Sequence, residues 1–323
     1  VMQTRVLLAF CLLGALASVH GWGWEGHQIV GKIAQGLLND NAAAKVKDIL
    51  ENDQCGPSAP CQYGADLAGC AGWADEVKNE EPWKWTRAVH YVDSPDSKDL
   101  DSCSYEYDRD CYDHTYVVGA KGRCVTGGIN NHTSRLQGML DNLNASTSAA
   151  CDLKFLIHYV GDVHQPLHVG FTSDRGGNLE FVSWYGKTEA KGFPYVLHAL
   201  WDYDIIEKHQ SEAYPQAGTK AWENYAADLS GNITKAQISQ WSCTGDATKC
   251  VDGWAVESIT DACSNSYREA DGTDIAFVNG SKLADPYFHN NIGMVSQRLS
   301  QGGVRLADIL NRLWPADEAV LYQ

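Results

Sequence analysis

The chain has 323 residues, 44% hydrophobic and 20% charged, which suits one large domain or two ordinary ones and excludes global disorder. Its formal net charge of −16 excludes a general electrostatic attraction to duplex nucleic acid or to anionic membranes. Any phosphate it recognises must therefore be met by positive charge supplied locally.

In chain order, residues 1–21 read as a secretory signal peptide: Arg5 supplies the positive end, and the apolar stretch 6–17 is too short to span a membrane. Two cleavage points fit the small-residue rule, one after Ala17 and one after Gly21; the second exposes Trp22 and is the expected terminus. Residues 22–323 then form one domain dominated by helical periodicity. Residues 28–38 carry an apolar stripe of Ile29, Val30, Ile33, Ala34, Leu37 and Leu38. Further helices are expected over 42–50, over 134–143 with Thr133 as N-cap, over 153–163 as a buried helix ending near Pro166, and over 198–208, 218–229 and 291–313. Gly302 and Gly303 are expected to weaken or bend the last of these. Residues 179–185 read as a strand, paired in a hairpin across Gly186-Lys187, while 242–282 reads as loop-rich. The expected fold is all-α, mainly helical with a small β-hairpin and disulfide-stapled loops over 54–70 and 94–128. With Cys11 in the signal, ten cysteines remain, enough for up to five disulfides whose pairing the sequence leaves open. Sequons at Asn131, Asn144, Asn232 and Asn279 agree with a secreted glycoprotein. No later segment reads as a membrane anchor, and with no oligomer signal a monomer is expected.

Chemistry concentrates in one set of segments: Trp22 to His27, Trp73-Ala74-Asp75, His90-Tyr91-Val92-Asp93, His158 to His168, and His198 to Asp202. Neutral imidazole and carboxylate form the donor set that suits zinc and similar divalent ions. His158 and Asp162 are four residues apart, and four steps of about 100° return to one helix face. His198 and Asp202 repeat the spacing, so two helices can wall a metal site. His164 falls on another face and ranks below these as a ligand. His114, His132, His209 and His289 read as hydrogen-bonded core residues. Asp93 is a spare carboxylate that can orient water or take its proton. Trp24, Trp83, Trp85 and Tyr185 read as core before stacking platforms.

These segments resemble the S1/P1 nuclease family, secreted zinc-dependent nucleases. The resemblance runs from Trp22 to Asp202 through WGWEGH, WAD, HYVD, HYVGDVHQPLH, RGGN (Arg175 to Asn178) and HALWD; the C-terminal third shares only helical character. It implies three zinc ions. Trp22, through its α-amine and carbonyl, would hold the first with His27 and Asp162. Asp75, His90, His158 and the other oxygen of Asp162 would hold the second, and His168, His198 and Asp202 the third. It implies a catalytic role for Asp93, a nearby Lys98, and a substrate contact from Asn178. Lys78 stands where many relatives carry a phosphoryl-holding arginine, keeping the charge but losing the two-pronged fork. The implied activity is phosphodiester hydrolysis on single-stranded DNA and RNA to 5′-phosphorylated products, with 3′-nucleotidase action on mononucleotides. A zinc phospholipase C and a non-catalytic zinc-binding protein are the alternatives.

Overall fold

The computed structural model describes residues 22–56, 61, 63–140 and 149–317. The expected signal peptide and the Asn144 sequon lie outside them. Among the described residues thirteen α-helices follow in chain order: α1 Trp24–Gly36, α2 Asp40–Glu51, α3 Leu67–Cys70, α4 Trp73–Val77, α5 Tyr107–Asp110, α6 Val125–Leu140, α7 Ala149–Asp162, α8 Leu197–Ala199, α9 Ile205–Ala213, α10 Ala221–Asn232, α11 Lys235–Trp241, α12 Ala247–Asp261 and α13 Asp285–Leu313. No helix among them is long and apolar enough to cross a membrane.

The centre is α7, buried at every residue from Asp152 to Asp162. A helix covered on all sides has no place but a core. α6, α1 and α13 pack on it, and α1 packs along α13 with Ile29, Val30, Ile33 and Ala34 inward. α13 runs unbroken through Gly302 and Gly303. The pair is a packing device here: a Cβ on Gly303 would stand 2.4 Å from Ile33 Cγ2. Helix starts are chemically marked where polar caps exist. Asn39 accepts from Ala42 N at 2.9 Å to open α2, and Thr234 and Gln237 form a capping box on α11.

Three expectations are corrected. α6 begins at Val125, so Thr133 lies mid-helix instead of capping. Gly127 and Gly128 hide the pattern by their low helix propensity, yet Gly128 is where the helix meets Val89. The stretch 242–282 holds a full helix, α12, opened by Asp246 accepting from Thr248 N at 3.0 Å and buried along Val251, Trp254, Ala255, Ser258 and Ile259. The expected strand shortens to β1 Val182–Trp184, because Tyr185 turns to φ 48°. β1 pairs in parallel with β4 Ser281–Leu283; the expected turn at Gly186-Lys187 is present as a single antiparallel bridge in which Trp184 and Lys187 exchange both backbone hydrogen bonds at 2.9 Å, and a further hairpin joins β2 Glu189–Ala190 and β3 Phe193–Pro194.

All ten cysteines among the described residues pair: Cys55–Cys151, Cys61–Cys70, Cys103–Cys263, Cys111–Cys124 and Cys243–Cys250. The long loops are stapled as expected, which matches an oxidising compartment.

Candidate metal centre

The segments singled out in the sequence meet around the C-terminal end of α7. α7 brings His158 and Asp162, α1 brings His27, α4 brings Asp75, and a 3-10 turn over Lys84–Val89 delivers His90. A second 3-10 turn, Pro166–Val169, carries His168; α8 carries His198 and runs into a π turn, Leu200–Asp204, that carries Asp202. Three groups form, each with donor atoms within 4.8 Å of one another: His27, His158 and Asp162; Asp75, His90 and His158; and His168, His198 and Asp202.

Asp162 joins the first two. Its Oδ1 is 3.3 Å from His27 Nε2, and its Oδ2 is 3.1 Å from His90 Nδ1 and 3.4 Å from His158 Nε2. Asp75 Oδ1 stands 3.4 Å from both His90 Nδ1 and His158 Nε2. The close approach of α1 to α7 depends on Gly161, where a Cβ would stand 2.5 Å from His27 Nδ1. The His27 and His158 rings consequently stack, centroids 3.8 Å apart.

Backbone carbonyls set the tautomers. A carbonyl only accepts, so His158 Nδ1 donates to Ala71 O (2.6 Å), His168 Nδ1 to His90 O (2.6 Å) and His198 Nδ1 to Gly176 O (2.5 Å). Each leaves an Nε2 lone pair facing inward. The Nε2 atoms of His168 and His198 stand 3.1 Å apart, and Asp202 Oδ2 is 3.5 Å from His198 Nε2. Two lone pairs that close repel unless a cation lies between them. The turn that supplies Gly176 runs Arg175, Gly176, Gly177 at φ 54°, 60° and 79°.

The donor atoms pass a direct test for metal. Both nitrogens of His27 and of His90, His158 Nε2 and both oxygens of Asp162 are buried with no hydrogen-bond partner. Orphaned buried polar atoms are costly and rare, and here they cluster in one pocket facing one another. Divalent cations would satisfy both Asp162 oxygens, His158 Nε2 and the one lone-pair nitrogen of each of His27 and His90, so the residues fit the group.

The electrostatics follow from burial and neighbours. Burial, then His158, holds His27 well below the ordinary histidine range, and burial with Lys78 does the same for His90. Burial also opposes protonation of His158, but Asp162 and Asp75 outweigh it and raise that ring. Burial pushes Asp162 and Asp202 well above the carboxylate range. It pushes Asp75 up too, yet Lys78 and His158 prevail and hold it low. Lys78 is itself buried, with Nζ 2.7 Å from Asp75 Oδ1.

Asp93 is half-buried, next to Val92, whose N donates to His168 O at 2.8 Å. Burial, reinforced by Asp174 and opposed by Arg175, raises its carboxyl to about 7. Asp174, buried and also raised to about 7 chiefly by burial, accepts from Tyr267 at 3.1 Å. Asn178 is partly buried, its Nδ2 donating to Arg175 O at 2.9 Å. Lys98 is exposed on the loop that leaves the site. Trp22 is fully buried, and Gly23 N donates to Asp202 O at 2.7 Å, which lays the chain's first described residues beside the third group. Sequence reasoning passed over Gln165: its Nε2 donates to Asp202 Oδ1 at 2.7 Å, and its place between two expected ligands was the available signal. His164, ranked below the expected ligands, is buried and bonded to Val160 O; among the histidines read as core, His132 is buried against Asp152. His209 is half-buried, and His114 and His289 are exposed, correcting those two. Tyr185, also read as core, is 44% exposed because its strand ends there.

Comparison with known proteins agrees with the geometry. The S1/P1 Nuclease family model matches residues 22–315. Endonuclease 2 of Arabidopsis thaliana is 37% identical over 320 residues, covering 96% of each chain, and Endonuclease 4 of the same plant is 38% identical over 314, covering 96% of this chain and 94% of its own. Nuclease S1 of Aspergillus oryzae is 29% identical over 301 residues, covering 91% of this chain and 92% of its own. A solved structure, Alpha Toxin from Clostridium Absonum, has a TM-score of 0.46 and 14% identity, covering 92% of this chain and 66% of that one. Zinc dependence is a property of the matched family, and the three His/Asp groups are candidate sites for it. Neither alternative, a phospholipase C or a zinc store, is favoured by these relatives. The family match reaches well past Asp202, through the C-terminal helices, and the chain belongs to the S1/P1 nuclease family, whose members hydrolyse phosphodiester bonds.

Proposed function

We propose that this chain is a secreted, monomeric endonuclease that cuts single-stranded DNA and RNA to 5′-phosphorylated products and removes the 3′-phosphate of mononucleotides, using three zinc ions. The observation that carries this is the ring of orphaned donor atoms around Asp162. Trp22 with His27 and Asp162, Asp75 with His90, His158 and Asp162, and His168 with His198 and Asp202 would hold the three ions. Cleavage after Gly21 would free the Trp22 amine for this role. The exposed Asn131, Asn232 and Asn279 are glycan acceptors.

Bound zinc would make water easier to deprotonate and offset the phosphate charge that a chain of net charge −16 repels. The chain's own groups do the rest. Asp93, with a carboxyl near 7, orients the attacking water and takes its proton. Lys78 supplies positive charge beside Asp75, Asn178 contacts the substrate, and the exposed Lys98 draws phosphate toward the mouth. Single strands suit a cleft because their bases are free to stack.

The test is a substrate panel of single-stranded DNA, RNA and phosphatidylcholine, run before chelation, after it and after zinc is restored. Nucleic-acid cleavage should vanish and return, with three zincs per chain by metal analysis. Cleavage that survives exhaustive chelation, or a preference for the lipid, overturns the reading. N-terminal sequencing that finds Ser18 removes Trp22 from the first site.

A further inference from the structure

Two arginines of α13 sit in the core, Arg298 at 1% exposure and Arg305 at 4%. They are seven residues apart, two helical turns, and so share a face. Both close on Glu257 of α12: Arg305 through Nη1 at 2.6 Å and Nη2 at 2.8 Å, Arg298 through Nη1 at 2.7 Å. The other ends of this network grip one short turn, residues 163–165, which joins Asp162 to the His168 segment. Arg305 Nη1 donates to His164 Nε2 at 2.9 Å, Arg298 Nε donates to His164 O at 3.3 Å, and Ser258 Oγ donates to Val163 O at 2.5 Å. His164 Nδ1 donates to Val160 O at 2.6 Å, so its Nε2 is free to accept. The turn passes the grip on. Gln165 donates to Asp202 Oδ1 at 2.7 Å, leaving Oδ2 toward His198.

A buried ion network of this kind is weak evidence for a gain in stability. Apolar side chains of similar volume often replace buried ion pairs without loss. What guanidinium forks supply is direction, since their donors are fixed in a plane. Partners that orient metal ligands from behind commonly matter for affinity by about 10–100-fold. We propose that Arg298, Arg305 and Glu257 form a positioning clamp that holds the 163–165 turn and, through Gln165, sets Asp202 in the His168/His198/Asp202 site. This rests on the reading of that group as a metal site.

The test dialyses zinc-loaded wild type, Arg305→Gln, Gln165→Ala and the double variant against graded zinc buffers and counts zinc per chain. Each single variant should lose one zinc at a free concentration at least about tenfold higher than wild type does, with the other ions retained. The double variant should lose it no more readily than the weaker single, because both act along one path. A lowered unfolding midpoint with all zinc affinities unchanged, or single losses that multiply in full, overturns the clamp. If Arg305→Gln does not fold, Glu257→Gln takes its place. A wild type that holds no zinc would instead remove the metal reading on which the clamp rests.

Discussion

At the residue scale the decisive feature is the contrast between carboxylates. Asp162 has His27 against one oxygen and His90 against the other and is built to share them, whereas Asp93 lies by Asp174 and Arg175, and its carboxyl is raised to about 7 from the ordinary 3.8. Asp93→Asn should keep the metal content and lower kcat by about 10²–10⁴-fold, the range typical of general acid–base groups, checked by metal analysis beside steady-state kinetics. A base must be ionised, so kcat/KM should rise with pH as Asp93 loses its proton. Asp174→Asn removes a like charge and should move that limb to lower pH; Arg175→Ala removes the opposing cation and should move it higher. The same carboxyl is raised on folding, so its contribution to stability is fullest below the unfolded value and is lost as pH climbs through about 7. Carboxyl-carbon NMR titration of Asp93 reads these shifts directly.

At the element scale the helices that the sequence made legible are those with an unmistakable face or none at all. The stripe of α1 and the apolar run of α7 are local patterns, and both helices stand where expected. α12 was not legible because Thr248, Gly253 and Ser258 blur its face, and the N-terminal half of α6 was masked by adjacent glycines. In these cases tertiary packing overrides propensity. Gly161→Ala tests the most sensitive helix contact. The added methyl would push α1 from α7 at His27, so we expect a loss of about 1–3 kcal/mol, typical of overpacking, together with lost zinc. Thermal unfolding with and without chelator measures the first, and metal analysis the second.

At the scale of the whole molecule, one disulfide spans the chain's two halves. Cys103–Cys263 bridges 160 positions and ties the loop after Asp93 to the segment that carries Tyr267, the partner of Asp174. Replacing both cysteines by serine should lower stability by about 2–5 kcal/mol, measured by denaturant unfolding, and should raise KM more than a distant staple such as Cys243–Cys250 would. What the sequence determined by itself was the donor inventory and its local geometry. The helical repeat places His158 with Asp162, and His198 with Asp202, whatever the rest of the chain does. Only the tertiary structure decided that His27 and His90 join His158 at Asp162, that carbonyls of Ala71, His90 and Gly176 set the inward lone pairs, and that two arginines of α13 stand behind the third group. These contacts join residues from 22 to 141 positions apart along the chain, and no periodicity within one segment encodes which distant surface will pack against it.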